Sequence, residues 1–203
     1  MKQLIYIHGW TVFPDNDRFC KVLESRDYDP RKEYKKTRKD RLAEKLKLDY
    51  EFFKPEMPNK FNANYKTRKI WFEKIFEYFN KEYLILIWHS LWWMFLIKYI
   101  WENWFPKKVK QLHLVSAVFD ESDMDEDEKY SWDFAYRPDI IKNLEKHCEE
   151  IFIYHSKDDD IVPCSHAEKI KSYLPDAKLI TLTDRWHFFN ESKFPEILKN
   201  ILK

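Results

Sequence analysis

One glycine, Gly9, serves a chain of 203 residues that carries nine tryptophans. Ordinary usage of about 7% would supply roughly 14 glycines. Glycine takes positive φ freely and lets two backbones approach closely. Without it, tight turns and close strand–helix packing are hard to build. Nothing else in the chain argues against a folded domain. At 44% hydrophobic and 18% aromatic content it is not a disordered segment, and its length suits one domain with a sizeable core. The 36 Lys and Arg nearly cancel the 35 Asp and Glu, and no basic block stands out. That excludes an electrostatic nucleic-acid binder.

Cys20, Cys148 and Cys164 are odd in number and lack motif spacing, so they read as reduced thiols of a cytoplasmic protein. The apolar run before His8 is too short for a secretory signal core. Residues 84–105 (LILIWHSLWWMFLIKYIWENWF) are long enough to span a bilayer. His89, Lys98 and Glu102 interrupt them, and no basic flank orients such a span. No membrane association is therefore expected.

Strand-like and helix-like segments alternate. Residues 3–7, 50–53, 83–87, 111–115, 151–154 and 178–182 read as six short strands. Residues 33–48, 65–79, 91–103, 138–147, 165–174 and 192–202 read as helices. The run YLILI at 83–87 is apolar throughout, as a strand covered on both faces should be. These features predict a single α/β domain over 1–203, a mostly parallel sheet of about six strands with helices on both faces.

In such sheets, chemistry sits at the carboxyl ends of strands. The first strand ends in His8-Gly9-Trp10-Thr11. The third runs through Trp88-His89-Ser90-Leu91-Trp92-Trp93 into a helix. The fifth leads to Asp158-Asp159-Asp160-Ile161-Val162-Pro163, and the last to Thr183-Asp184-Arg185-Trp186-His187-Phe188. The order Ser, Asp, His, each just past a strand, is that of an α/β-hydrolase triad.

With each suspect Trp read as Gly, the elbow becomes G-H-S-L-G-G, the first loop H-G-G and the last loop D-R-G-H-F. In that form the chain resembles, over its whole length, the α/β-hydrolase superfamily. Within it the chain is most similar to small serine hydrolases of the retinoblastoma-binding-protein type, which lack a large cap. The elbow departs from the family at Trp88 and Trp92, where the motif has Gly. Taken literally, two indoles there should overpack the strand–helix junction and keep the elbow from closing. Trp10, Trp88, Trp92, Trp93, Trp104, Trp132 and Trp186 all stand where this fold or a loop would want Gly. Seven UGA codons, read as glycine in some lineages and as tryptophan in a common alternative table, would produce that pattern. The other reading is a truly Trp-rich chain. Arg38, Arg41 and Arg68 fall on apolar helical stripes and invite the same question, although arginine stems lying along a surface explain them equally well.

The resemblance implies the roles. Ser90 would be the nucleophile and His187 the general base and acid. Asp159, four residues before Pro163, would orient His187, with Asp158 and Asp160 as neighbours open to register slippage. Backbone N–H groups of Leu91 and Trp10 would form the oxyanion hole, with His8, Gly9 and His89 supporting the loops. No metal and no cofactor are expected: the remaining histidines lack ligand spacing, and the acidic stretch 120–128 lacks the Gly and Glu of a calcium loop. It is expected to be a solvated loop, and a place where a small lid could sit. The expected activity is hydrolysis of a small-molecule acyl substrate by acyl transfer to Ser90. The alternative is an inactive binding protein of the same fold, its elbow occluded by Trp88 and Trp92.

Overall fold

Leu4, Ile5, Tyr6 and Ile7 supply both faces of the first strand, and the same continuous apolar character recurs in the strands beside it. In a computed structural model these runs form a six-stranded sheet in the order β2-β1-β3-β4-β5-β6, every neighbouring pair parallel. The structure describes residues 1–9, 12–13, 15–25, 37–58, 64–79, 83–103, 105, 108–122, 133–188 and 194–203. The strands are β1 (Lys2–Ile7), β2 (Tyr50–Phe53), β3 (Leu84–His89), β4 (Val109–Val115), β5 (Cys148–Ser156) and β6 (Lys178–Leu182). The helices are α1 (Asn16–Glu24), α2 (Arg38–Leu46), α3 (Tyr65–Ile75), α4 (Trp92–Glu102), α5 (Leu144–His147), α6 (Ser165–Tyr173) and α7 (Pro195–Ile201). Short 3-10 turns, Phe76–Tyr78 and Pro138–Asn143, follow α3 and precede α5.

Strand alternation sorts the side chains into two cores. Ile5, Ile7, Leu86, Trp88, Leu112, Leu114 and Ile153 pack on one face with residues of α3, α4 and α6. Leu4, Tyr6, Ile85, Ile87, Phe152 and Tyr154 pack on the other with Leu42 and Leu46 of α2 and Ile197 and Ile201 of α7. Helices thus cover both sides, as the six-strand pattern predicts.

Several elements differ from the sequence reading. The 65–79 helix ends at Ile75 and tightens into the 3-10 turn. The 138–147 helix is 3-10 for its first part, opened by Pro138, and α-helical only over Leu144–His147. Helix α1 was not expected at all: it buries no residue, and a local cap, the Asp15 carboxylate accepting from the Arg18 N–H at 2.7 Å, fixes its start. Of the expected helix 33–48, residues 38–46 are helical and 33–36 lie outside the described residues. Strand β5 extends from the expected four residues to nine, because its polar ends also pair with β4 and β6.

The order in which strands are added reverses between β1 and β3: from β1 it runs outward to β2 on one side and to β3 on the other. The crevice beyond the carboxyl ends of these two strands is where an open α/β sheet binds ligands. Gly9 follows β1 and Ser90 follows β3.

Candidate active site

Ser90 sits between β3 and α4 with φ 61°, a left-handed backbone that a residue with a Cβ rarely adopts. Its N–H donates to the Val115 carbonyl at the end of β4, at 2.9 Å, which pins the turn to the sheet. Leu91 is the half-in residue before α4, so its N–H is among the helix-start amides that have no carbonyl one turn back. Gly9 presses against this turn. A methyl group at Gly9 would stand 2.7 Å from Ser90 Cβ and 2.8 Å from the His89 carbonyl oxygen. The one glycine of the chain is therefore spent where β1 and the Ser90 turn approach too closely for any side chain.

The structure brings Ser90, His187 and Asp159 together. His187, buried beyond β6, places Nε2 at 3.2 Å from Ser90 Oγ and Nδ1 at 2.9 and 3.0 Å from the two carboxylate oxygens of Asp159. With Nδ1–H donating to the carboxylate, Nε2 presents a lone pair to the Ser90 hydroxyl. Of the three consecutive aspartates, Asp159 takes this place. Asp158 instead braces the His187 loop: its Oδ1 accepts the Trp186 N–H at 3.1 Å and the Ser156 hydroxyl, and Ser156 Oγ accepts the Arg185 N–H at 3.1 Å.

Asp159 is surrounded by donors. Ile161 N–H and Val162 N–H reach Oδ1 at 3.1 and 2.9 Å, and the Ser116 hydroxyl reaches Oδ2 at 2.7 Å. Burial by itself raises the carboxyl pKa, but hydrogen bonds from His187, Val162 and Ser116 and the charge of His187 outweigh it and hold Asp159 below the usual carboxylate range. His155 stands on the same side: its Nε2–H donates to the Val162 carbonyl at 2.7 Å and lies 3.4 Å from Asp159 Oδ2. Burial pushes the His155 pKa down.

The supporting residues divide. His89 is buried and donates from Nε2 to the His187 carbonyl at 3.2 Å, fixing the backbone of His187. His8 packs edge-on against His89, ring centroids 5.1 Å apart, and touches the Gly9 carbonyl through Nδ1. Trp10, expected to lend an N–H to the oxyanion hole, lies outside the described residues, as do Trp104, Trp132 and the acidic stretch from 123 onward. Two residues escaped the sequence reading. Ser116 and His155 follow or end strands, but neither belongs to a motif, and a lone Ser or His at a strand end has many uses.

The expectation that two indoles would keep the elbow open is corrected. Trp88 stacks on Phe95 at 6.0 Å and meets Phe72 edge-on at 5.7 Å, and Trp92 packs against Phe134 at 5.5 Å. Aromatic residues of α3, α4 and the segment before the second 3-10 turn frame room for both rings. The Arg68 guanidinium lies on the Trp92 ring at 3.3 Å. The indoles are accommodated at a cost: the buried Nε1–H groups of Trp88 and Trp92 have no acceptor among the described residues, worth about 1–3 kcal/mol each. Trp93 does better, donating to the Val118 carbonyl. Trp186 has φ 47°, glycine's territory.

No group of three or more His, Cys, Asp or Glu among the described residues could hold a metal ion, and none of the described helices is long and apolar enough to cross a membrane.

No protein-family model matches the chain, and no curated protein does. Solved structures do. The ydeN gene product from B. subtilis is 18% identical with a TM-score of 0.71, covering 100% of this chain and 97% of that one. The esterase domain of a Rhodothermus marinus protein is 14% identical with a TM-score of 0.64, covering 99% and 84%. Alpha/beta hydrolase domain-containing protein 10 from mouse is 15% identical with a TM-score of 0.58, covering 98% and 86%. At such identities the likeness is one of architecture: the chain has the α/β-hydrolase fold.

Proposed function

We propose that the chain is a serine hydrolase that cleaves small ester or related acyl substrates through Ser90, His187 and Asp159. The observation that carries this reading is the unbroken line of hydrogen-bond distances from Ser90 Oγ through His187 to Asp159, set on a positive-φ turn. Strain of that kind clusters at functional sites. Ser90 Oγ attacks the acyl carbonyl while its proton passes to His187 Nε2. Asp159 keeps the imidazole in the tautomer that can accept that proton and stabilises the imidazolium that results. The tetrahedral oxyanion is held by the N–H groups of Leu91 and Trp10. His187 then protonates the leaving group, and water attacks the acyl-Ser90 ester by the reverse route. No cofactor or metal enters, and neither nucleic acid nor a membrane is a partner.

The resemblance to retinoblastoma-binding-protein-type hydrolases, which lack a large cap, belongs to this reading, supported by near-equal coverage of this chain and the ydeN product. A cytoplasmic location is supported by three free cysteines. The reading of Trp10, Trp88, Trp92, Trp93, Trp104, Trp132 and Trp186 as glycine positions of the working protein belongs to this proposal as well. The positive φ of Trp186 and the stranded N–H groups of Trp88 and Trp92 favour it. UGA at those seven codons, with UGG at Trp71, is the expected result; UGG at all nine ends the idea.

The activity is tested with a fluorophosphonate probe. Covalent labelling that vanishes in Ser90→Ala is expected. A folded, correctly decoded protein that takes no label is instead a binding protein on this fold.

A further inference from the structure

The end of β4 holds both halves of the site. The Val115 carbonyl accepts the Ser90 N–H at 2.9 Å, which sets the nucleophile turn. The next residue, Ser116, donates its N–H to the Tyr154 carbonyl of β5 at 2.9 Å and its hydroxyl to Asp159 Oδ2 at 2.7 Å. Ser116 is fully buried and has φ 43°. A serine in a left-handed backbone pays for that conformation unless something outside the turn requires it. Here the twist aims Oγ at the carboxylate, and among the described residues no other polar contact of that hydroxyl competes.

We infer that Ser116 is a positioning residue of the site, a fourth polar member that acts through Asp159 to fix the distance between the acid and the nucleophile. The inference rests on the serine-hydrolase reading above. Asp159 Oδ2 must share itself between the His187 Nδ1–H and whatever else faces it, which is the Ser116 hydroxyl and, at longer range, His155. The two backbone donors, Ile161 and Val162, sit on Oδ1. Oδ1 is therefore anchored by its own loop, whereas Oδ2 is tied to a different strand. Remove the Ser116 hydroxyl and the carboxylate can rotate about the Oδ1 anchor, which takes Oδ2, now 2.9 Å from His187 Nδ1, out of its place. Because Val115 and Ser116 are adjacent, the strand that holds Ser90 also holds the acid, so nucleophile and acid keep their spacing when the loops move.

Two variants separate the hydroxyl from the strain. Ser116→Ala removes the hydroxyl and keeps a Cβ at positive φ; Ser116→Gly removes the hydroxyl and relieves the backbone. Fluorophosphonate labelling rates, thermal midpoints and the downfield proton resonance of the His187 Nδ1–H are measured for each. Both variants are expected to label more slowly by about tenfold, less than the roughly hundredfold loss that a full ångström of misplacement brings, and both to shift that resonance. Ser116→Gly is expected to do so while melting no lower than the parent, which a merely structural serine would not produce. If the parent labels, and Ser116→Gly labels as fast with the resonance unmoved, the inference falls and the hydrolase reading stands. A folded parent that takes no label overturns the hydrolase reading itself, and this inference with it.

Discussion

Gly9 and Trp186 mark the two extremes of glycine supply in this molecule. At Gly9 the geometry leaves no choice, since a Cβ would meet Ser90 Cβ at 2.7 Å and main-chain oxygen at 2.8 Å. Gly9→Ala should therefore displace the Ser90 turn, and fluorophosphonate labelling should fall by about a hundredfold, the scale of a catalytic group misplaced by an ångström. Trp186 shows the converse, a partly buried side chain carried on a backbone at φ 47°. Trp186→Gly should stabilise the fold by about 1 kcal/mol, read as a thermal midpoint higher by about 2–4 °C. At this scale the three residues that the structure brings together were legible in the sequence, because Ser90, Asp159 and His187 each follow an apolar run and fall in the order of a known motif. Ser116 was not. Its role comes from a φ and a hydroxyl direction, and neither is written in the letters around it.

The helices α3 and α4 meet the sheet through rings. Phe72 of α3 is wholly buried and touches Phe76, Trp88, Phe95, Tyr99 and Phe105, with centroids between 5.2 and 6.4 Å. Phe72→Ala should cost about 3–5 kcal/mol in a denaturant titration, with Phe72→Leu losing clearly less. The helical spacing of Trp71, Phe72, Ile75, Phe76 and Phe79 points to this helix, and short apolar runs point to all six strands. Helix α1 stayed hidden because it has no buried stripe to create a period. The strand ends differ too: at β5 Cys148 and Glu150 pair in the ladder, and the side chains of Glu149 and Glu150 find Lys110, Gln111 and Lys178. Apolar patterning reports where the core is and not how far a ladder continues past it.

For the molecule as a whole, the face of the sheet beneath α7 carries a buried polar group with consequences in acid. His113 donates and accepts between Tyr154 Oη at 3.0 Å and Gln111 Oε1 at 3.2 Å, and Asn200 of α7 completes the set through Tyr154. Burial pushes the His113 pKa from 6.5 down to about 3. Its unfolded form binds a proton below about pH 6.5, whereas its folded form stays neutral until about pH 3. The unfolded chain thus holds the extra proton in that window, and stability falls as pH is lowered through it. Asp159 adds to the loss further down, where its depressed carboxyl is finally protonated. His113→Gln, which cannot titrate, should flatten the decline in urea midpoint between pH 6.5 and 3; an unchanged slope would refute the assignment. The all-parallel sheet has one more consequence, in time rather than in pH. Ser90 and His187 are 97 residues apart in the chain and meet only after β4, β5 and β6 have been laid down side by side. Parallel pairing of distant segments is slow to form. In a refolding experiment, secondary structure should return first and reactivity toward the probe last, so a covalent label on Ser90 would serve as a clock for the final docking of the sheet.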